Sequence, residues 1–391
     1  EKNIYQLSPN SFSNKDIING IKVLLSQKIT MGEITKKFER EFAKFIGSKY
    51  ALMVNSGSSA NLLAMFAMIN PMKKNSLKNG DECLIPSLCW STSLWPILQA
   101  GLKPRFVDVD PETLNISLKD LKKKINKKTK AIVLVHVLGN STNMKELKKI
   151  INRYKIKLIE DTCESLGSKF EKKYLGTFGE FGSYSFYYSH QITAGEGGMI
   201  VCNDKKNYEI IHSLRSHGWD RGLKNKKKNF NFINSGFNLR PTDVSAAIGY
   251  SQFKKLNYFK KIRSMNREKI VSRLKNSKKW KNQFTFIDPV KSLDPSWFGL
   301  PILINKKFLN KKKKFLSYLS KNSIETRPII SGNFLNQPSI KLYKLNSKKK
   351  LFKGAQEIEN RGFFIGVHVN KITEKQLKLL ETKLLKINEL T

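Results

Sequence analysis

Between residues 50 and 202, short apolar runs alternate with stretches of helical periodicity, and that rhythm admits few folds. Tyr50–Val54, Glu82–Pro86, Arg105–Val109, Ala131–Val137 and Ile156–Glu160 read as strands. Leu62–Ile69, Trp90–Ala100, Leu118–Ile125 and Met144–Tyr154 read as helices between them. Ala131–Val137, AIVLVHV, is apolar at almost every position, as a strand covered on both faces must be. Strands alternating with helices imply an α/β fold whose mostly parallel central sheet carries its ligand site at the strands' C-terminal ends.

The last unit differs. In Ser183–Met199, SYSFYYSHQITAGEGGM, the aromatics Tyr184, Phe186 and Tyr188 alternate along a strand. A polar tip follows at Ser189-His190-Gln191, and Gly195, Gly197 and Gly198 then permit a tight reversal into a second run, Met199–Cys202. His190 therefore stands where a strand gives way to a turn, a position from which side chains reach into sites.

A chain of 391 residues with 40% hydrophobic content buries a large core and is expected to divide. Residues 1–30 lack long periodicity and read as an N-terminal arm; residues 31–260 form a large domain. From about residue 260, long basic helices and short strands suggest a smaller C-terminal α+β domain, 261–391. Gly32–Ile46 reads as an amphipathic helix through Phe38, Phe42, Phe45 and Ile46, closed by Gly47.

No apolar run is long enough to cross a membrane, and EKNIYQLSPN lacks a secretion-signal pattern, so a cytoplasmic, membrane-free protein is expected. Four scattered cysteines fit reduced thiols, with no metal-binding spacing. The net charge of +41 has two readings: a polyanionic partner, or a Lys-rich solvated surface. Lys far outnumbers Arg, the residue that reads bases and phosphates bidentately, and this favours the surface reading.

Several turns carry chemistry. Asn55-Ser56-Gly57-Ser58-Ser59-Ala60-Asn61 opens a helix and offers free N–H groups to an anion; an ordinary N-cap is the alternative. Trp90 follows the strand end Pro86 and reads either as core or as a ring facing a ligand. Asp161 ends a buried strand, where an ionised carboxylate needs a cationic partner unless it simply caps a helix; Glu164 stands beside it. His136 is a wall of the site or a core residue, and His217 either faces the site or complements a helix dipole. Residues 222–235 read as a mobile loop, and Pro241 suits the first turn of a helix Thr242–Leu256. Arg327 suits an anion or a surface ion pair, and His368 packs at the domain junction.

In order, Gly57-Ser58-Ser59, Glu160-Asp161, Ser185-Phe186-Tyr187, Gly195-Glu196-Gly197-Gly198 and Gly236-Phe-Asn238-Leu-Arg240 resemble the DegT aminotransferase/dehydratase family of fold-type I pyridoxal phosphate (PLP) enzymes. The resemblance runs from about residue 20 to 385. It implies that Gly57, Ser58 and Ser59 hold the cofactor phosphate, Trp90 stacks on its ring, and Asp161 pairs with its pyridine nitrogen. Glu164 and Ser185 complete the cofactor site. Asn238 reaches the phosphate in a neighbouring subunit, so a homodimer with shared active sites is implied. His217, Arg327 and Phe334 fall on the substrate side.

At the family's Schiff-base lysine this chain has His190. An imidazole is not a primary amine, so it cannot anchor PLP, yet it moves protons near neutral pH. The resemblance thus points to the dehydratase branch. PLP and pyridoxamine phosphate (PMP) would be held non-covalently and L-glutamate would supply the amine. A nucleotide-linked 4-keto-6-deoxyhexose, a GDP-linked sugar favoured, would lose its C3 hydroxyl on the way to a lipopolysaccharide O-antigen deoxysugar. The family's iron–sulfur dehydratases cluster cysteines within 222–235; this chain has none there, so no cluster is expected. Two alternatives stand beside this reading. One is an aminotransferase that anchors PLP on another lysine. The other is a non-catalytic, basic nucleic-acid-binding regulator, against which Asp161, Ser185 and Asn238 argue.

Overall fold

The computed structural model describes residues 5–8, 11–223, 230–345 and 349–390. A seven-stranded sheet forms its centre, in the order Tyr50–Val54, Gly198–Cys202, Phe181–Ser185, Lys157–Asp161, Thr129–Val135, Glu82–Pro86, Lys103–Val107. Only Gly198–Cys202 runs against the rest, pairing antiparallel with both neighbours. The C-terminal ends of the other strands therefore share one edge of the sheet.

Nine helices are needed to place the site: α1 Asn14–Leu25, α2 Glu33–Ile46, α3 Gly57–Met68, α4 Ser91–Gln99, α5 Leu118–Lys124, α6 Met144–Arg153, α7 Lys205–Arg215, α8 Asp243–Phe253 and α9 Leu256–Lys275. Side chains alternate across the strands, so each face has its own apolar layer. Leu52, Val54 and Ile200 pack with α3 and α4, while Met53 and Val201 pack with Phe38 and Phe42 of α2. Leu134 and Leu158 lie under α6. Gly47 closes α2 in the left-handed region, φ 76°, as a C-terminal glycine does.

The C-terminal third contributes a three-stranded sheet, with Gly299–Ile304 between Phe284–Phe286 and Gly362–Gly366. Its own apolar cluster runs from Ile270 to Ile387, while Phe334, Ala355 and Ile358 join the core of the large sheet.

Residues 14–25 are helical, where the sequence suggested an arm without periodicity. Ser13 and Asp16 form a capping box, and buried Asp16 accepts from Gln252 Nε2 at 2.8 Å and Lys255 Nζ at 2.6 Å. Ile17, Ile21, Leu24 and Leu25 do fall at helical spacing, opposite Lys15, Asn19 and Lys22, but the stripe is short and exposed instead of packed in the core. Pro241 precedes the N-cap Thr242 of α8 instead of entering its first turn. Within the expected loop 222–235, residues 224–229 lie outside the described residues. Its last part is tied down: Ile233 N–H donates to Gly218 O at 2.8 Å, and Trp219 bridges Phe232.

Candidate active site

Four chain reversals meet at the shared sheet edge. The first is the Val54–α3 turn. Ser56 caps α3, its Oγ accepting from Ser59 N–H at 3.1 Å, and Ser59 Oγ donates to Asn55 Oδ1 at 2.6 Å. Among the described residues, the amides of Gly57 and Ser58 have no acceptor, so the positive end of α3 is open to an anion. Ser58 Oγ donates to Thr92 Oγ1 at 3.0 Å and joins the start of α4 to this turn. Gly57 has no room for a side chain: a Cβ would lie 2.6 Å from Ser185 Cβ and 2.8 Å from Cys163 Sγ. A Cβ on Gly198 would likewise meet Ser56 carbonyl at 2.4 Å. Glycine at these positions lets three strand ends converge.

The second reversal presents Asp161. Its Oδ2 accepts from Asn61 Nδ2 at 2.7 Å and Ser93 Oγ at 2.6 Å, and its Oδ1 takes only the Cys163 amide at 3.2 Å. Every donor is neutral, and among the described residues no cation pairs with this buried carboxylate. Asp161 therefore does not merely cap a helix; it is an oriented anion lacking a cation. Three residues on, Glu164 Oε2 accepts from Leu138 N–H at 3.0 Å. Burial pushes the Glu164 carboxyl up to about 7, with nearby Asp161 adding to the shift.

The third reversal carries Trp90, which precedes α4 with its side chain 56% exposed. The core reading of Trp90 is thus corrected: Trp95, one turn into the helix, takes the packing role against Phe334 and Tyr343.

The fourth carries His190. The strand ends at Ser185, whose Oγ accepts from Tyr187 N–H at 3.2 Å, and His190 N–H closes a turn onto Tyr187 O. The imidazole stands edge-on to Phe298 and Tyr187, centroids 5.1 and 5.8 Å away, and its Nδ1 has no partner among the described residues. Burial lowers it to about 4, and Arg263 beneath it contributes in the same direction. Gln191 is not part of an exposed tip: it is buried, and its Nε2 donates to the carbonyls of Glu164 and Ser296. It staples the His190 turn to the Asp161 turn.

The remaining expected residues divide. Arg327 is exposed, bridged through its backbone to Phe364, and among the described residues its guanidinium has no carboxylate partner; the surface ion-pair reading fails. His217 is exposed beyond the end of α7 in a left-handed conformation, φ 62°, and so is not placed in the helix's last turn. Asn238 is exposed, bridged to Ser216, and its Oδ1 accepts from Arg240 Nε at 3.0 Å. Phe334 is 3% exposed and packs in the main core, so its side chain is taken by packing and does not face a substrate. His136 is withdrawn from the site wall. It lies fully buried with Nδ1 on Ser141 Oγ at 2.9 Å and Nε2 on Glu160 Oε2 at 3.0 Å. His368 is buried, its ring stacked on Tyr5 and its Nε2 2.7 Å from Gln6 O.

Asn61, Ser93, Gln191 and Arg263 were not singled out from the sequence. Asn61 alone left a trace, since it lies four residues beyond Gly57 and so on the same helix face. Among the described residues no cluster fit for a metal ion occurs, and no helix is long and apolar enough to cross a membrane.

The fold that brings these groups together is shared with known proteins. The chain belongs to the DegT/DnrJ/EryC1/StrS aminotransferase family, whose model matches residues 12–382. It is 40% identical over 359 residues to GDP-4-keto-6-deoxy-D-mannose 3-dehydratase of Escherichia coli O55:H7, covering 88% of this chain and 90% of that protein. The structure of E coli GDP-4-keto-6-deoxy-D-mannose-3-dehydratase with bound hydrated PLP superposes with a TM-score of 0.92 at 37% identity, covering 98% of this chain and 100% of that one. A GDP-4-keto-6-deoxymannose-3-dehydratase with a trapped PLP–glutamate geminal diamine gives a TM-score of 0.90 at 37% identity, covering 96% and 99%.

Proposed function

We propose that this protein is a PLP/PMP-dependent 3-dehydratase acting on GDP-4-keto-6-deoxymannose, with L-glutamate as amino donor and the 4-keto-3,6-dideoxy sugar as product. One observation carries the reading: a half-buried imidazole, not an amine, occupies the turn that Gln191 ties to the segment after Asp161, in a fold shared with such dehydratases. The residues present fit the cofactor. Gly57 and Ser58 amides suit its phosphate, the Trp90 ring its face, and Asp161, anionic without a cation, its protonated nitrogen. When bound, the cofactor supplies an electron sink that acidifies an adjacent carbon–hydrogen bond.

The chain's own residues do the rest. His190, neutral at physiological pH, accepts a proton from carbon and later delivers it. Lacking an amine there, the chain does not retain the cofactor covalently. Phe298 and Tyr187 flank the imidazole with their ring edges, and Gln191 ties its turn to the carbonyls of Glu164 and Ser296. Arg327, an unpaired guanidinium, suits an anionic group of substrate or donor, and exposed His217 lines the approach. Exposed Asn238, with Arg240, suits the cofactor phosphate of a second copy in a homodimer with shared sites. The division into an arm (1–30), a cofactor-binding unit (31–260) and a smaller unit (261–391), working in the cytoplasm, belongs to the same reading.

The test is to incubate the protein with PLP, glutamate and GDP-4-keto-6-deoxymannose and weigh the sugar product. One oxygen lost, with release of 2-oxoglutarate and ammonia, supports the proposal. A nitrogen-bearing product, or a lysine–cofactor adduct after borohydride reduction, would make the protein an aminotransferase instead.

A further inference from the structure

Helix α9 carries three arginines toward its neighbours, and only one is left without a counter-charge. Arg267 donates to Ile287 O and Asp288 Oδ1 and lies over the Trp297 ring; Arg273 pairs with Glu374 and Glu381. Arg263 is 4% exposed, and its one acceptor is the carbonyl of His190, 3.3 Å from Nη2. Its Nε and Nη1 have no partner, and among the described residues no carboxylate reaches it. A buried guanidinium held by one neutral carbonyl is costly, and a hydrophobic residue there would avoid the cost. The position of the charge suggests what the cost supports.

We propose that Arg263 is a positioning residue that keeps His190 a neutral imidazole and fixes the turn that carries it. This rests on the dehydratase reading above. The groups around the imidazole leave Arg263 unopposed. Tyr187 and Phe298 present ring edges. From the turn after Asp161, Glu164 gives its backbone carbonyl to Gln191, while its carboxylate is turned to the Leu138 amide. His368, near Arg263 on its other side, is itself held below the usual imidazole range by burial, with Arg263 adding to it. Asp161 is engaged by Asn61 and Ser93. A cation so placed penalises the imidazolium, the form in which His190 cannot act as a base. It also makes the imidazolium formed during turnover a stronger acid, ready to pass its proton on. The contact runs to the backbone of His190, leaving both ring nitrogens free.

The test reads the imidazole directly in the full chain, without substrate. Histidine labelled with 13C at Cε1 reports titration of five rings, and His190→Asn assigns the one that matters. In the wild type, His190 should stay neutral well below pH 6. In Arg263→Met its midpoint should rise by about one pH unit, a tenfold change in proton affinity, whereas Arg263→Lys should keep it low. The acid limb of kcat/KM against pH should rise with it in Arg263→Met. An unmoved midpoint in Arg263→Met, or an equal rise in Arg263→Lys, overturns the proposal. Should Arg263→Met fail to fold, Arg263→Lys and Arg263→Gln decide by the same criterion: the charge-conserving variant must titrate lower. Failure here would indict Arg263 alone, since the mass of the sugar product tests the dehydratase reading separately.

Discussion

Glu160 and Asp161 are consecutive residues of one strand, pointing to opposite faces of the sheet, and both are buried. On one face, Glu160 accepts from the amides of Gly176, Phe178 and Gly179, and His136 between Glu160 and Ser141 has both ring nitrogens engaged. On the other, Asp161 lacks a cation, His190 Nδ1 lacks a partner, and Arg263 lacks an anion. The first cluster is closed and serves stability. The second is left incomplete in every charge, and incompleteness of buried polar groups is what a ligand or a proton can use.

Breaking each cluster should have different consequences. His190→Asn should lower dehydratase turnover by about 10²- to 10⁴-fold, the range for a lost general base, with little change in urea midpoint at neutral pH. Normal turnover would return His190 to the packing role of His136. Glu160→Ala strands buried His136 and three amides, one buried and two half-buried, and should cost about 3–5 kcal/mol of stability, read by urea denaturation. If Glu160→Ala is as stable as wild type, the closed cluster is not structural.

The third prediction concerns pH. His190 in the folded chain titrates at about 4, against an ordinary value of 6.5, so below 6.5 the unfolded chain takes up the proton more readily. Stability contributed by the neutral folded ring is whole above pH 6.5 and is lost as pH falls through 4, by at most about 3 kcal/mol. Urea midpoints at pH 7 and 4.5 should separate less in His190→Asn than in wild type; equal separations would count against a half-buried ring held neutral. The smallest effect should come from Trp90→Ala. Its exposed ring contributes within about 0.5 kcal/mol to folding, whereas PLP affinity should fall about tenfold for a lost stacking partner. Unchanged PLP affinity would remove Trp90 from the site.

Much was legible in the chain itself, and for local reasons. Strand and helix runs declare themselves by side-chain period, so the order of elements from 50 to 202 and the parallel sheet could be read directly. The turn at Gly57, the charge of Asp161 at a strand end and the imidazole of His190 at a turn could be read as departures from their neighbours. Of the reversal glycines only Gly195 takes a positive φ, while Gly198 serves close approach, which the sequence did not show. That His136 belongs to the core and not to the site wall was not legible. His136 and His190 both lie near strand ends in apolar surroundings, and only packing reveals which has partners. Helix α1 was also missed, although Ile17, Ile21 and Leu24 repeat at helical spacing, because the stripe is short and its packing against α8 is a tertiary matter.

Phe334 and Trp90 show the same division: two aromatics of equal promise in the chain, one folded into the core and one left open. Arg263 and Gln191 lie 73 and 105 residues from the carbonyls of His190 and Ser296 that they bind. The sequence by itself determined the sheet, the glycine–serine turn that opens α3 and the imidazole just beyond Ser185, because period, glycine and residue type are local properties. Only the tertiary structure decided which buried charges were satisfied, since a side chain's partner depends on chain segments that meet only in the fold.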